Sequence, residues 1–179
     1  EDNLERAADS LGLPLVLKIP DGSFSRGVIK VKTLTELRST LATLFEQSAI
    51  ILAQRYTFTE YDWRIGVLNG QAIFACKYFM ARNHWQIYKH GKAKTESGGF
   101  STCAVNEVPS HVLDAAIRAC APIGDSLYGV DVKQDGDKVY VIEVNDNPNI
   151  DDGVEDLHLG NKLYDILVED FIRRIELKR

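Results

Sequence analysis

The apolar residues of this chain recur at two spacings, three to four and two, and each change of spacing marks a new element. Leu4, Ala7, Ala8 and Leu11 recur at helical spacing, and residues 13–19 then read as a strand. A glycine-bearing loop follows over residues 20–27, with a returning strand at 28–31. Thr33-Leu-Thr-Glu36 is a capping box, which predicts a helix carrying Leu34, Leu37, Leu41, Leu44 and Phe45 on one side. Residues 49–54 are an apolar run expected to be a buried strand. Asn69-Gly70 is the strongest hairpin signal, because both residues accept the positive φ of a two-residue turn; it joins a strand over 61–68 to one over 71–78. Residues 80–102 are polar and weakly periodic, a loop expected to be mobile without ligand, with Trp85-Gln-Ile-Tyr88 as a short strand within it. Pro109 opens a helix along Leu113, Ala116, Ile117 and Cys120, a second hairpin spans 128–145, and an amphipathic helix closes the chain at 160–176. This order predicts an α+β fold with antiparallel sheets. No Gly-x-Gly-x-x-Gly joins a strand to a helix, so it is not a Rossmann unit.

Each hairpin makes a prediction about faces. With a two-residue turn at Asn69-Gly70, Leu68 pairs with Gln71, and Tyr61, Trp63, Ile65 and Val67 share a core face with Ala72, Phe74, Cys76 and Tyr78. Asp62, Arg64 and Lys77 then share the other face, Asp62 opposite Lys77. Cross-strand charges are commonly surface decoration worth roughly 0.2 to 1 kcal/mol, so charge alone makes no site. In the second hairpin Val130, Val132, Tyr140, Ile142 and Val144 are expected on one apolar face. A two-residue Asp135-Gly136 loop would put Asp131 on that face, away from Glu143. An odd-length loop or a bulge instead gathers Asp131, Glu143 and Asn145 on the polar face, and one of these is predicted.

That polar set has a chemistry. Val141-Ile-Glu-Val-Asn-Asp-Asn-Pro148 is an apolar strand that delivers a carboxylate and an amide two residues apart and stops at proline. With Asp131 it offers three oxygen donors and no cysteine or histidine, a set that suits magnesium better than zinc. Asn, Asp and Pro also cluster in ordinary turns. An EF-hand over Asn145, Asn147 and Asn149 fails, because Ile150 stands where glycine is needed and Pro148 intrudes. Lys18 ends an apolar strand just before Asp21-Gly-Ser-Phe-Ser-Arg-Gly27, where glycines let backbone amides close over phosphate oxygens and the lysine adds a point charge. A plain hairpin explains that loop about as well.

The 179 residues, 45% of them hydrophobic, fit one domain or two joined subdomains. The net charge of −5 comes with dispersed basic residues, so neither nucleic acid nor a membrane surface is an expected partner. Cys76, Cys103 and Cys120 are odd in number and lack metal-ligand spacing, which fits reduced thiols in a cytoplasm. The start, Glu-Asp-Asn-Leu, leads to the expectation that a further N-terminal region precedes this stretch. Oligomeric state is not legible.

In combination, Lys18, the glycine-serine loop, Gln54-Arg55-Tyr56, Asp62-x-Arg64, Lys77, Gly129-Val-Asp131 and Glu143-x-Asn-x-x-Pro148 resemble the ATP-grasp superfamily, in its RimK-like branch of carboxylate-amine ligases, over essentially the whole chain. The resemblance implies two α+β subdomains enclosing a nucleotide cleft: a phosphate-covering one at 1–56 and a metal-binding one at 57–179. It implies that Lys18 and the loop through Ser23, Phe24, Ser25 and Gly27 hold ATP phosphates, that Gln54, Arg55 and Tyr56 read adenine through their backbone, and that Asp62 binds ribose. It places Arg64 and Lys77 beside the transferred phosphate and makes Asp131, Glu143 and Asn145 the ligands of magnesium, with manganese as an alternative. The usual Gln-Glu adenine hinge is here Gln54-Arg55. The Gly-Gly acceptor segment of RimK has become Thr95-Glu-Ser-Gly-Gly99, with a Met80-Ala-Arg-Asn-His-Trp85 block, so a different substrate from that of RimK is expected. Arg82, His84 and Trp85 are candidates near an amino-acid or peptide acceptor. The competing reading is a nucleotide-binding regulatory or scaffolding module without ligase activity.

Overall fold

The computed structural model describes residues 2–20, 27–91 and 94–177. The chain divides into two compact units, Glu1–Phe58 and Thr59–Arg179. The first holds α1 (Asp2–Leu11), β1 (Leu15–Lys18), β2 (Ile29–Val31), α2 (Leu34–Phe45) and β3 (Leu52–Arg55). The predicted N-cap forms, the Thr33 hydroxyl accepting the Glu36 N–H at 3.1 Å, but the Glu36 carboxylate accepts the Lys32 N–H at 2.6 Å in place of the Thr33 N–H that would complete a capping box. Leu37, Leu41 and Leu44 of α2 bury against Leu15, Leu17 and Val31. The strand order β2-β1-β3 puts β3 at an edge. Leu52, Ala53 and Arg55 are exposed there, so the expected buried strand is an exposed one, because β1 takes the central place. The calls on Ser23, Phe24 and Ser25 lie outside the described residues.

In the second unit β4 (Tyr61–Leu68), β5 (Gln71–Phe79), β8 (Phe100–Cys103), β9 (Leu127–Asp135) and β10 (Lys138–Asn145) form one antiparallel sheet in the order β10-β9-β4-β5-β8. Polarity alone made residues 80–102 a loop, but β8 joins the sheet beside β5, and β6 (Tyr88–His90) pairs with β7 (Thr95–Ser97). The helix α3 (Ser110–Cys120) lays Val112, Ala116 and Cys120 over one face of the sheet, against Trp63, Ile65, Val67, Val130 and Val132. On the opposite face α4 (Asn161–Glu176) covers the end near the Asn69-Gly70 turn, where Leu163 and Leu167 meet Leu68, Phe74 and Cys76. The remaining part of that second face carries the polar residues.

The turn at Asn69-Gly70 forms, with Leu68 opposite Gln71 and Val67 opposite Ala72, but Ile73 is then bulged out and Gly66 faces Phe74. The bulge corrects the predicted faces. Trp63 stands opposite Lys77 and Asp62 opposite Tyr78, so Lys77 lies on the α3 face while Asp62 and Arg64 lie on the other. Trp63 and Phe74 are both buried, but on opposite sides of the sheet. Gly66 shows why the bulge is tolerated: a Cβ there would lie 2.2 Å from Phe74 Cε1, so the ring packs across a bare backbone. Gly66→Ala must push that ring out of the core and is expected to cost about 1–3 kcal/mol, read from urea unfolding.

The second hairpin also reaches its register through a bulge. Asp135 pairs with Lys138 across a Gly136-Asp137 turn, and the register shifts at Ile142 so that Glu143 comes directly opposite Asp131 and Asn145 opposite Gly129. The loop is even-length and the bulge restores the parity, which satisfies the sequence prediction by its second route. The expected apolar set changes in consequence: Val144 stays with Val130, whereas Tyr140 faces Lys133 and Ile142 sits in the bulge.

Candidate active site

The face opposite α3 gathers the chemistry. Arg64 on β4 pairs with Asp131 on β9. Its Nε donates to Asp131 Oδ1 at 2.6 Å and its Nη2 to Oδ2 at 3.2 Å, a bidentate pair with the two side chains only 13% and 15% exposed. Burial works against the guanidinium charge, and the Asp131 carboxylate more than offsets it, so the Arg64 pKa stands above its ordinary value. Such a guanidinium is a fixed cation with its planar fork already oriented. Among the described residues Nη1 has no hydrogen-bond partner.

Gly129 makes room for this arrangement. A Cβ there would lie 2.7 Å from Pro148 Cβ and 3.3 Å from Arg64 Cδ. The absent side chain lets Pro148 fold back over β9 while Arg64 lies flat beside it. Gly129→Ala is expected to displace one of the two; a lower melting temperature together with loss of nucleotide binding would report it.

Glu143 and Asn145 lie on the same face as Asp131, one directly opposite it and the other two residues further along β10. Asn145 Oδ1 accepts the Asn147 N–H at 3.0 Å, which fixes the amide at the start of the following loop. Among the described residues no three His, Cys, Asp or Glu side chains cluster as a metal site; the set here is two carboxylates and an amide. A carboxylate has about four lone-pair positions, so Asp131 retains acceptor capacity beyond its two bonds to Arg64. An all-oxygen set of this kind fits a hard cation such as magnesium.

Asp62 is buried, and its Oδ1 accepts from Thr59 Oγ1 at 2.9 Å and from Lys133 Nζ at 2.6 Å. Burial raises its pKa, with Lys133 acting in the opposite direction. A direct bond from Asp62 to a ribose would compete with Lys133. Lys77 Nζ instead lies 4.7 Å from the ring centroids of both Tyr61 and Trp63, away from Arg64. In the other unit Lys18 ends β1 opposite Leu52, Gln54 pairs with Val16, and Arg55 pairs with Leu15 while its Nε donates to Leu11 O at 2.7 Å. The Tyr56 N–H donates to Pro14 O, and Lys30 Nζ sits 4.1 Å from the Tyr56 ring centroid. Gly27 has φ of +70°, a conformation natural to glycine. Residues 81–86 form a turn closed by the Ala81 N–H on Gln86 O, with His84 Nε2 and Gln86 Oε1 3.2 Å apart.

Three residues of this face were missed in the sequence. Lys133 was discoverable, since it lies two positions from Asp131 and shares its side of the strand. Tyr78 was misplaced by the unforeseen bulge. Glu155 is wholly buried in the turns after β10; its Oε1 accepts from Tyr78 Oη and its Oε2 accepts the Asp151 N–H at 2.8 Å. No local signal marks it.

Cys76 lies on this face, directly opposite Arg64, whereas Cys103 and Cys120 pack on the α3 side of the sheet. Burial pushes the Cys76 thiol up to about 11, and Cys120 is buried as well. At pH 8 only about a thousandth of Cys76 would be thiolate, so alkylation of the folded protein is expected to reach the partly exposed Cys103 first. Equal labelling of Cys76 would contradict its burial.

The fold is that of ATP-grasp ligases. The D-alanine–D-alanine ligase of Bacillus anthracis superposes with a TM-score of 0.74 at 22% identity, covering 99% of this chain and 59% of that one. ATP-grasp ligase PsnB, solved with a phosphomimetic variant of its minimal precursor, Mg and ADP, gives a TM-score of 0.57 at 18% identity, over 83% of this chain and 43% of that one. The model of the RimK-like ATP-grasp domain matches residues 1–167, and the chain belongs to that family. A protein of Shewanella denitrificans named probable alpha-L-glutamate ligase 1 is 29% identical over 146 residues, 80% of this chain and 46% of that protein. The chain spans about half the length of the curated relatives it matches. Among the described residues no helix is long and apolar enough to cross a membrane.

Proposed function

We propose that this chain is the nucleotide-using part of a ligase that joins a carboxylate to an amine through an acyl phosphate. A carboxylate resists attack because its leaving group would be oxide. Transfer of the γ-phosphoryl group of ATP to a carboxylate oxygen releases ADP and creates a phosphate leaving group; the amine then attacks the acyl carbon, loses a proton and expels phosphate. Such chemistry needs positioned cations more than a nucleophilic side chain. The observation that carries the reading is the single face on which Arg64 is held by Asp131 beside Glu143 and Asn145.

In this reading Arg64 donates from Nη1 to an oxygen of the migrating phosphoryl group. Asp131, Glu143 and Asn145 would hold magnesium, or manganese in its place, which when bound neutralises charge on the phosphates. Lys18 and the loop through Ser23, Phe24, Ser25 and Gly27 bind phosphate oxygens, and Gln54, Arg55 and Tyr56 present backbone groups to adenine. Asp62 keeps Lys133 in place rather than meeting ribose directly, and Lys77 takes no part. The substrates are of the class of amino acids or peptides, in keeping with relatives named for glutamate ligation and with a neighbour solved on a peptide precursor.

Release of ADP in a screen of amino-acid and peptide acceptors, run on the protein at its full natural length, tests the reading. The 179-residue chain alone is expected to bind ATP with magnesium and to hydrolyse it slowly, because an acyl phosphate must be held within about 3 to 3.5 Å of the amine and kept from water. Efficient amide formation by this chain alone would show that the whole acceptor pocket is contained in it.

A further inference from the structure

Glu155 is a carboxylate with no exposure to solvent and no direct ion-pair partner among the described residues. Burying a charge without pairing is costly. Its two oxygens are satisfied by the Tyr78 phenol and the Asp151 amide, and the cation whose charge it feels is Arg64. Tyr78 is the link. It lies on the Arg64 face, opposite Asp62, with its ring centroid 5.8 Å from Arg64 Cζ. Arg64 is therefore bounded by Asp131 on the edge of its fork, by the bare backbone of Gly129 and by the Tyr78 ring.

We propose that Glu155 is a positioning residue of the ligase reaction, which fixes the Tyr78 ring and through it the aim of the Arg64 guanidinium. The proposal rests on the function argued above. The turn that carries Glu155 is tied to the rest of the unit independently: Thr102 Oγ1 donates to Val154 O at 2.6 Å, and Tyr164 Oη donates to Asp156 Oδ2 at 2.9 Å. Holding that turn in place thus does not require Tyr78, which leaves the phenol–carboxylate bond free to serve the sheet face.

Tyr78→Phe keeps the ring and removes only the bond to Glu155; Glu155→Gln keeps the shape and removes the charge. In the full-length protein both are expected to lower kcat about ten- to hundredfold while the KM for ATP changes less than about threefold, as a misaimed catalytic group does. A purely structural role would lower the melting temperature and leave kcat per folded molecule unchanged. The proposal has a second readout that does not depend on turnover. The Arg64 Nε–H resonance, identified by its loss in Arg64→Lys, is expected to exchange with solvent at least about tenfold faster in both variants. Unchanged exchange in Tyr78→Phe overturns the proposal even if Glu155→Gln fails to fold, and whether or not the protein proves to be a ligase. Faster exchange in a protein without ligase activity would support the positioning contact and refute the reaction assigned to it.

Discussion

Arg64→Met is expected to cut turnover sharply and to destabilise the second unit by about 3 kcal/mol, the lower end of what breaking a buried ion pair costs. The reason is the Asp131 carboxylate, 15% exposed, which would be left without its bidentate partner. Removing both charges together, in Arg64→Met with Asp131→Leu, should recover most of that stability, since an apolar pair of similar size tolerates the site. It should recover no activity. The loss in kcat is expected to reach about a thousandfold, the scale for a preorganised donor aimed at developing charge. Urea unfolding and turnover measured on the same three proteins separate the two effects. Arg64→Met with normal kcat would remove Arg64 from the reaction.

Glu143→Ala is expected to leave the fold intact and to eliminate magnesium-dependent nucleotide binding. Glu143 is exposed, so its loss should change stability by about 0.5 kcal/mol or less. Without nucleotide the variant should therefore melt within a few degrees of the parent. With ATP and magnesium at about a hundred times the dissociation constant, the parent should gain roughly 2.7 kcal/mol and several degrees in melting temperature. The variant should gain almost none. An equal thermal shift in both would remove Glu143 from the metal site.

Strand positions were more legible in the sequence than the sheet was. Lys18, Asp131, Glu143 and Asn145 could be placed on their strands because each sits at a strand end or alternates along a strand, and such patterns are local. The two bulges decided the rest. At Ile142 the need to bring Asp131 and Glu143 to one face made an irregularity predictable, whereas the bulge at Ile73 depends on Phe74 packing across Gly66, a tertiary fit that alternation cannot register. Lys77 and Tyr78 were both misplaced for that reason. The strand β8 was lost because Phe100-Ser-Thr-Cys103 has little apolar signal and gains its place only by pairing with β5. Glu155 lies 77 residues from Tyr78 in the chain, and only the folded structure brings them together.

The central claim is an acyl phosphate formed on a substrate carboxylate, and the fate of that carboxylate's oxygen tests it most directly. The full-length protein would be given ATP, magnesium, an amine and an acceptor whose carboxylate carries heavy oxygen, with the released phosphate examined by mass spectrometry. The account predicts that each amide formed delivers one heavy oxygen atom to inorganic phosphate, with ADP as the nucleotide product. Amide formed with unlabelled phosphate, or with AMP and pyrophosphate in place of ADP, would contradict it.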